Sequence, residues 1–263
     1  MSQQHLLIFD KTTVYESLFI KLKSVTEYPD SKILKEKNPE QYKMFLEKFK
    51  DDTKSDLLDE DIENKYQTEV IYLPEFSRVV AICFGYYHID EENERVEKQI
   101  KSIIKENEVD TLKIFWQVLD RAYRSNKNKI LVGHNLFNYD IPFYIKRFVK
   151  HRENLKLKDN EGSVHNLGVP NIFKKLLIAK PWEQVAVDTS YVWRFGSVGK
   201  NPSLDEIANY FGYKRDSDEI SSMNINSHYW NSEDKEKAMK EIACVGSSDI
   251  EIMMDFMTEM RTL

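Results

Sequence analysis

The chain is most constrained between Lys129 and Phe148. Lys129–Val132 is a largely apolar run of strand length, and a polar turn comes after it. Ile141, Tyr144, Ile145 and Phe148 then recur at helical spacing, with Pro142 where a first helical turn tolerates proline. Strand, polar turn and helix in that order predict an α/β arrangement with the turn at one end of a sheet. Asp140 is the last residue before the apolar stripe. One reading makes it a helix N-cap. The other makes it a metal-binding carboxylate at the mouth of the sheet, where ligand sites of α/β folds concentrate. Asn135 and Tyr139 beside it favour the second reading.

The 263 residues, 41% of them hydrophobic, supply a core for one large domain or two small ones. A net charge of −6 argues against a protein that passively coats nucleic acid, which carries a basic excess. It leaves open a site where metal ions bring positive charge to a phosphate. Cys83 and Cys244 both lie in apolar segments without zinc-like spacing, and are expected as buried thiols of a reducing compartment. No apolar run reaches membrane-spanning length and the N-terminus lacks a signal-peptide pattern. The expectation is a soluble, cytoplasmic protein without membrane contact.

His5–Asp10 reads as a buried first strand, which puts Asp10 and Thr12 on one face. Residues 18–68 are highly charged. Within them Tyr42, Phe45, Leu46 and Phe49 mark one helix face, and residues 51–64 are acidic. The region is expected as a helical insertion in a single domain spanning 1–263, too polar and too short for a core of its own. Further strands are predicted at 77–89 and 95–104, with an edge strand at 185–188. Leu112, Phe115, Trp116, Leu119 and Tyr123 predict an amphipathic helix. Ser203-Leu-Asp-Glu206 is a capping box opening a helix that Gly212 closes. Lys146, Arg147, Lys150, His151 and Arg152 form either a solvated helix face or a track for a nucleic-acid backbone. A last helix starts near Glu233, with Ala238, Ile242, Val245, Ile252, Met253 and Phe256 as its stripe. Asp249 lies on that stripe, where a carboxylate is costly unless paired or bound to a cation.

Several of these stretches, in this order, resemble the proofreading 3′–5′ exonucleases. More narrowly, they resemble the stand-alone exonucleases related to the exonuclease domain of family B DNA polymerases. The residues that carry the resemblance are Leu73-Pro-Glu-Phe76 before an apolar strand, His134-Asn135 three residues ahead of Tyr139-Asp140, Lys180-Pro-Trp-Glu183, the Ser203-Leu-Asp205 helix and Asp249. The resemblance covers nearly the whole chain. The order of elements, with a charged helical insertion after the first strand, implies an α/β fold with a mixed β-sheet flanked by helices, and the resemblance implies that this is the ribonuclease-H-like exonuclease fold. It also implies four carboxylates gathering two divalent ions, Mg²⁺ or Mn²⁺, about 3.5–4 Å apart, which stabilise the attacking and leaving oxygens. Catalysis and metal binding fall by this resemblance to Asp10, Asp140 and Asp249. Thr12, His134, Asn135 and Tyr139 fall around the substrate strand, and Asp188 is structural.

Two positions depart from that pattern. The Asp-x-Glu of the first motif reads Asp10-Lys11-Thr12, and the tyrosine or histidine place of the third motif holds Val245 or Cys244. A missing carboxylate leaves two dications short of negative charge, and each tenfold loss of rate is about 1.4 kcal/mol of barrier. The expectation is a metal-dependent 3′–5′ exonuclease that hydrolyses phosphodiester bonds at single-stranded DNA 3′ ends, weakened, with one or two metal sites kept. RNA is left open as substrate, and a replication protein is the implied partner. The rival is a catalytically inactive nucleic-acid-binding or partner-binding protein on the same fold. A third reading gives the charged insertion a protein partner. The nuclease reading requires Asp10, Asp140 and Asp249 to converge on one cleft.

Overall fold

The computed structural model describes residues 16–49, 59–90, 95–158, 162–180, 183, 185–215, 220 and 224–261. Asp10, Thr12 and the strand expected at His5–Asp10 lie outside the described residues.

The first described strand is β1 (Leu18–Thr26), followed by three helices, α1 (Ser31–Lys37), α2 (Pro39–Phe49) and α3 (Asp59–Thr68), and a 3₁₀ turn at Val70–Tyr72. Strands β2 (Ser77–Asp90) and β3 (Arg95–Ile103) come next, then α4 (Glu108–Ser125), β4 (Leu131–Gly133) and α5 (Ile141–Lys150). A small hairpin of β5 (Lys156–Lys158) and β6 (Val164–Asn166) precedes α6 (Asn171–Ile178) and β7 (Ala186–Asp188). The chain then runs through α7 (Thr189–Arg194), α8 (Leu204–Phe211), α9 (Ile225–Asn231) and α10 (Lys235–Arg261). Among the described residues the main sheet has five strands, in the order β3-β2-β1-β4-β7. β1–β2 and β2–β3 are antiparallel, whereas β1–β4 and β4–β7 are parallel. The sheet is therefore mixed, with β1 at its centre and the Val185–Asp188 stretch at one edge.

Side chains alternate along β1 and feed two helical layers. Leu18, Ile20 and Leu22 pack with Leu112, Phe115, Tyr144, Phe148 and Phe173 of α4, α5 and α6. Phe19 faces the other way, with Leu204 and Ile207 of α8 and Ile250, Met253 and Phe256 of α10. Two glycines let α10 lie directly on β2. A Cβ on Gly85 would stand 2.5 Å from Ile250 Cγ2, and one on Gly246 would stand 2.6 Å from Cys83 Sγ. Among the described residues no helix is long and apolar enough to cross a membrane.

Three expectations need correction. The helical insertion does not begin at residue 18, because Leu18–Thr26 is the central strand; its alternation of β-forming residues outweighs the charge of the helices after it. The insertion runs from 27 to 76, and its neck closes where Glu27 N–H donates to the Phe76 carbonyl at 2.8 Å. It also has a core of its own: Leu34, Phe45, Ile62, Tyr66, Val70 and Phe76 pack together, with the Phe45 ring 5.6 Å from Tyr66 and 6.2 Å from Phe76. Aromatic residues supply there what the charged helices lack. Lastly, Cys83 is buried but Cys244 is exposed, since it sits on the outward face of α10.

Candidate functional site: a lysine-filled carboxylate cluster

The site forms where β4 ends beside the central strand. Beyond Gly133 the chain turns sharply at Asn135, whose φ of 59° is one that asparagine tolerates better than most residues. A wide turn, Leu136–Asp140, then leads into α5. Asp188, at the end of β7, holds this turn by accepting the Asn135 N–H at 2.9 Å and the Phe137 N–H at 3.3 Å, and it caps α7 through Ser190 N–H. Asp188 is thus structural in this geometry. The turn delivers Asp140 against β1. Its carboxylate does not cap α5; Oδ1 accepts the Leu22 N–H at 2.7 Å, taking the place a neighbouring strand would fill.

Strand periodicity puts Lys21 and Lys23 on the Phe19 side of β1. Their ammonium groups meet the two carboxylates singled out in the sequence. Lys21 Nζ lies 3.4 Å from Asp140 Oδ2 and also donates to the His134 carbonyl at 3.1 Å. Lys23 Nζ donates to Asp249 Oδ2 at 2.7 Å. The other Asp249 oxygen accepts from Arg215 at 2.6 Å, and Arg215 bridges on to Asp205 at 2.6 Å. The Lys23–Asp249 pair is sealed, with side-chain exposures of 6% and 4%, whereas Lys21 retains 13% beside an Asp140 of 1%.

The electrostatics reflect this packing. Burial works against the Lys21 charge, but Asp140, Asp249 and Asp188 outweigh it and hold its pKa above the ordinary lysine value. Burial likewise works to raise the Asp249 carboxyl; Lys23, Arg215 and Lys21 reverse that and hold it below the ordinary range. For Asp140 burial prevails over Lys21 and the Leu22 N–H, and its pKa is raised. Asp140 accepts from the Leu22 N–H and Asp249 from the Lys23 ammonium, so the two carboxylates converge on one stretch of β1.

The other sequence-predicted residues surround this cluster without facing it freely. His134 is buried, and both ring nitrogens are occupied. Nε2 faces the Pro202 carbonyl at 2.9 Å, which only accepts, so Nε2 carries the proton and Nδ1 faces the Thr189 hydroxyl at 2.9 Å. Burial, aided by Lys21, pushes its pKa down to about 4, so the ring is neutral. The Tyr139 hydroxyl bonds Ser24 at 2.6 Å, its ring edge meets Tyr72 of the insertion at 5.6 Å, and Lys21 sits over its face at 5.4 Å. Asn135 accepts from Asn138 at 3.0 Å and lies 3.4 Å from Asn201. Val245, one turn before Asp249, is buried and has no group to hold water. Within the basic run after Asp140, Arg147 is buried against Glu27 and Glu108, whereas Lys146 and Lys150 pair with Glu75 and Glu27 at the surface and Arg152 is exposed.

Sequence reasoning missed Lys21, Lys23 and Arg215. The signal for the first two was present: lysines two apart in an otherwise strand-like run, Leu18-Phe-Ile-Lys-Leu-Lys-Ser-Val-Thr26. It also missed the rim. Phe137 and Tyr191 are both exposed and stack at 6.1 Å with an interplanar angle of 26°, and the Arg194 guanidinium lies 5.5 Å from the Tyr191 ring centre.

A family model described as the RNase_H superfamily matches residues 75–259, well over half of the chain. The chain belongs to the ribonuclease H superfamily. Its mixed sheet with flanking helices is the α/β fold of that superfamily, a nuclease-type scaffold. A search of curated proteins gave no match.

Nucleases of the ribonuclease H type usually use divalent metals, and the described residues can be tested for such a centre. They do not fit one. Hard dications need several oxygen ligands. Among the described residues no group of three or more His, Cys, Asp and Glu side chains is placed to hold a metal ion. The two converging carboxylates each already face an ammonium group.

Proposed function

We propose that this ribonuclease H superfamily protein binds single-stranded nucleic acid without cutting it. The observation that carries the reading is the pairing of Asp140 with Lys21 and of Asp249 with Lys23. Hydrolysis by two dications needs carboxylates free to gather them. Here the positive charge comes from the central strand itself, so no water-activating step is derived from these residues. Strand binding is supported by the scaffold and by the Phe137–Tyr191 stack with Arg194 beside it. Exposed aromatic faces next to a guanidinium take successive bases whatever their sequence.

The test uses a 5′-labelled single strand, read both for shortening on a gel and for binding by fluorescence anisotropy. Binding is expected in EDTA as well as in Mg²⁺ or Mn²⁺, with the label at full length throughout. Phe137→Ala and Tyr191→Ala are each expected to weaken binding about fivefold or more, from a stacking contribution of about 1–3 kcal/mol per base. Shortening from the 3′ end that Asp140→Asn abolishes would replace this reading with the 3′–5′ exonuclease one. A folded chain that binds neither DNA nor RNA strands would remove the nucleic-acid ligand and leave a protein partner as the scaffold's use.

A further inference from the structure

We infer that Lys21 and Lys23 are the resident cations of this site and exclude divalent metal ions from it, and that exchanging them for acids turns the cluster into a divalent-cation site. The inference concerns the cation, not the strand, and stands whether or not nucleic acid binds.

Only charge, burial and direction are needed. Asp140 and Asp249 come from elements far apart in sequence, the start of α5 and α10, yet both are almost fully buried and both meet β1. A buried carboxylate must be neutralised or hydrogen-bonded. Each carries a lysine ammonium, and the two lysines stand two residues apart on one face of one strand. Each ammonium is confined by more than its carboxylate. Lys21 is held between Asp140, the His134 carbonyl and the Tyr139 ring. Lys23 lies under α10, with its Cε 3.5 Å from where a Cβ on Gly246 would stand, an ordinary van der Waals distance, and its ammonium donates to Asp249. A dication arriving at either aspartate would meet an ammonium group already 3.4 Å from Asp140 Oδ2 or 2.7 Å from Asp249 Oδ2. That repulsion, with few carboxylate oxygens left to share, works against its entry.

The same geometry predicts the converse. Placing carboxylates at 21 and 23 would set four acids around one point of the sheet, with Arg215 as the one remaining cation bonded to Asp249 or Asp140 among the described residues. Four acids so close together cannot all remain ionised without cations, and oxygen-only donors select hard dications such as Mg²⁺ and Mn²⁺.

The experiment tracks thermal midpoint and bound Mn²⁺, the latter by electron paramagnetic resonance, for the full native chain and for Lys21→Asp/Lys23→Glu. The native chain is expected to keep the same midpoint in Mn²⁺, Mg²⁺ and EDTA and to hold no stoichiometric Mn²⁺. The double variant is expected to melt lower in EDTA and to regain roughly 5 °C or more at a hundredfold excess of Mn²⁺ over Kd. If the double variant does not fold, Lys21→Asp/Lys23→Met carries the same test, because it removes both ammonium groups and leaves Asp140 and Asp249 beside the one introduced carboxylate. The inference is overturned if the native chain binds Mn²⁺ in a way that Asp140→Asn removes. It is equally overturned if a folded acidic variant takes up no Mn²⁺. Neither result depends on strand binding, which anisotropy reports separately.

Discussion

Lys23→Met isolates the energetics of the sealed half of the site. Methionine is unbranched like lysine, keeps most of its volume and ends one atom short of the ammonium, so packing under α10 is nearly preserved while the charged group is removed. Lys23 Nζ and Asp249 Oδ2 are 2.7 Å apart. At an effective dielectric of about 20, charges that close attract by roughly 6 kcal/mol before desolvation is subtracted. Removing one member of such a buried pair usually destabilises by about 3–5 kcal/mol, because the other charge stays buried. Here Asp249 keeps Arg215, so the lower end applies, about 3 kcal/mol, or roughly 1 M in urea midpoint. The assay is urea unfolding monitored by circular dichroism. The companion variant Lys23→Met/Asp249→Asn removes the stranded charge and is expected to return half or more of the loss, a non-additivity well outside experimental scatter. A loss below about 0.5 kcal/mol for Lys23→Met would refute the reasoning. It would mean that Arg215 alone satisfies Asp249 and that Lys23 contributes no cation to the site. Additive losses in the double variant would say the same from the other side.

Two further tests address what holds the site in place. Burial works to raise the Glu108 carboxyl, but His151, Arg147 and the Val79 N–H reverse this and bring its pKa down from 4.5 to about 2. A depressed carboxyl stabilises the fold above its unfolded pKa. Its contribution of roughly 3 kcal/mol is therefore whole above about pH 4.5 and lost as pH falls toward 2. Urea midpoints of the native chain and Glu108→Gln should accordingly differ at pH 6 and draw together near pH 2; a gap independent of pH would contradict the assignment. Gly246→Ala should destabilise by about 1–2 kcal/mol despite alanine's better helix propensity, since its Cβ would meet Cys83 Sγ at 2.6 Å. Adding Cys83→Ala should recover much of that loss, and a thermal scan without recovery would show that α10 is not pressed on β2 at this point.

Much of the architecture was legible because it rests on local periodicity. The strand expected at Lys129–Val132 appears as Leu131–Gly133, the helix opening at Ile141 runs to Lys150, the edge strand expected at 185–188 appears as Ala186–Asp188, and the capping box at Ser203 forms as its cap chemistry implies. The insertion boundary was not legible. Lys21 and Lys23 made β1 look like the start of a charged segment, because lysine in a strand is ordinarily a surface residue. Its core was hidden for a similar reason: Phe45, Tyr66 and Phe76 come together from separate elements, and no one window of sequence shows enough apolar area.

The site itself shows where pattern reading must stop. Asp249 on an apolar stripe implies that a cation is near, and the turn before α5 implies a purpose for Asp140. Neither implies which cation. A metal ion and a lysine neutralise a buried carboxylate equally well as far as the local sequence can express. The partners lie 119 residues away for Asp140 and 226 away for Asp249, and only the placement of β1 between β2 and β4 brings them together. Retained carboxylates are therefore weak grounds for a metal centre unless the strand opposite them is known. Were the residues at 21 and 23 acidic, the same two aspartates would demand dications; because they are basic, the same two aspartates leave no charge for dications to balance.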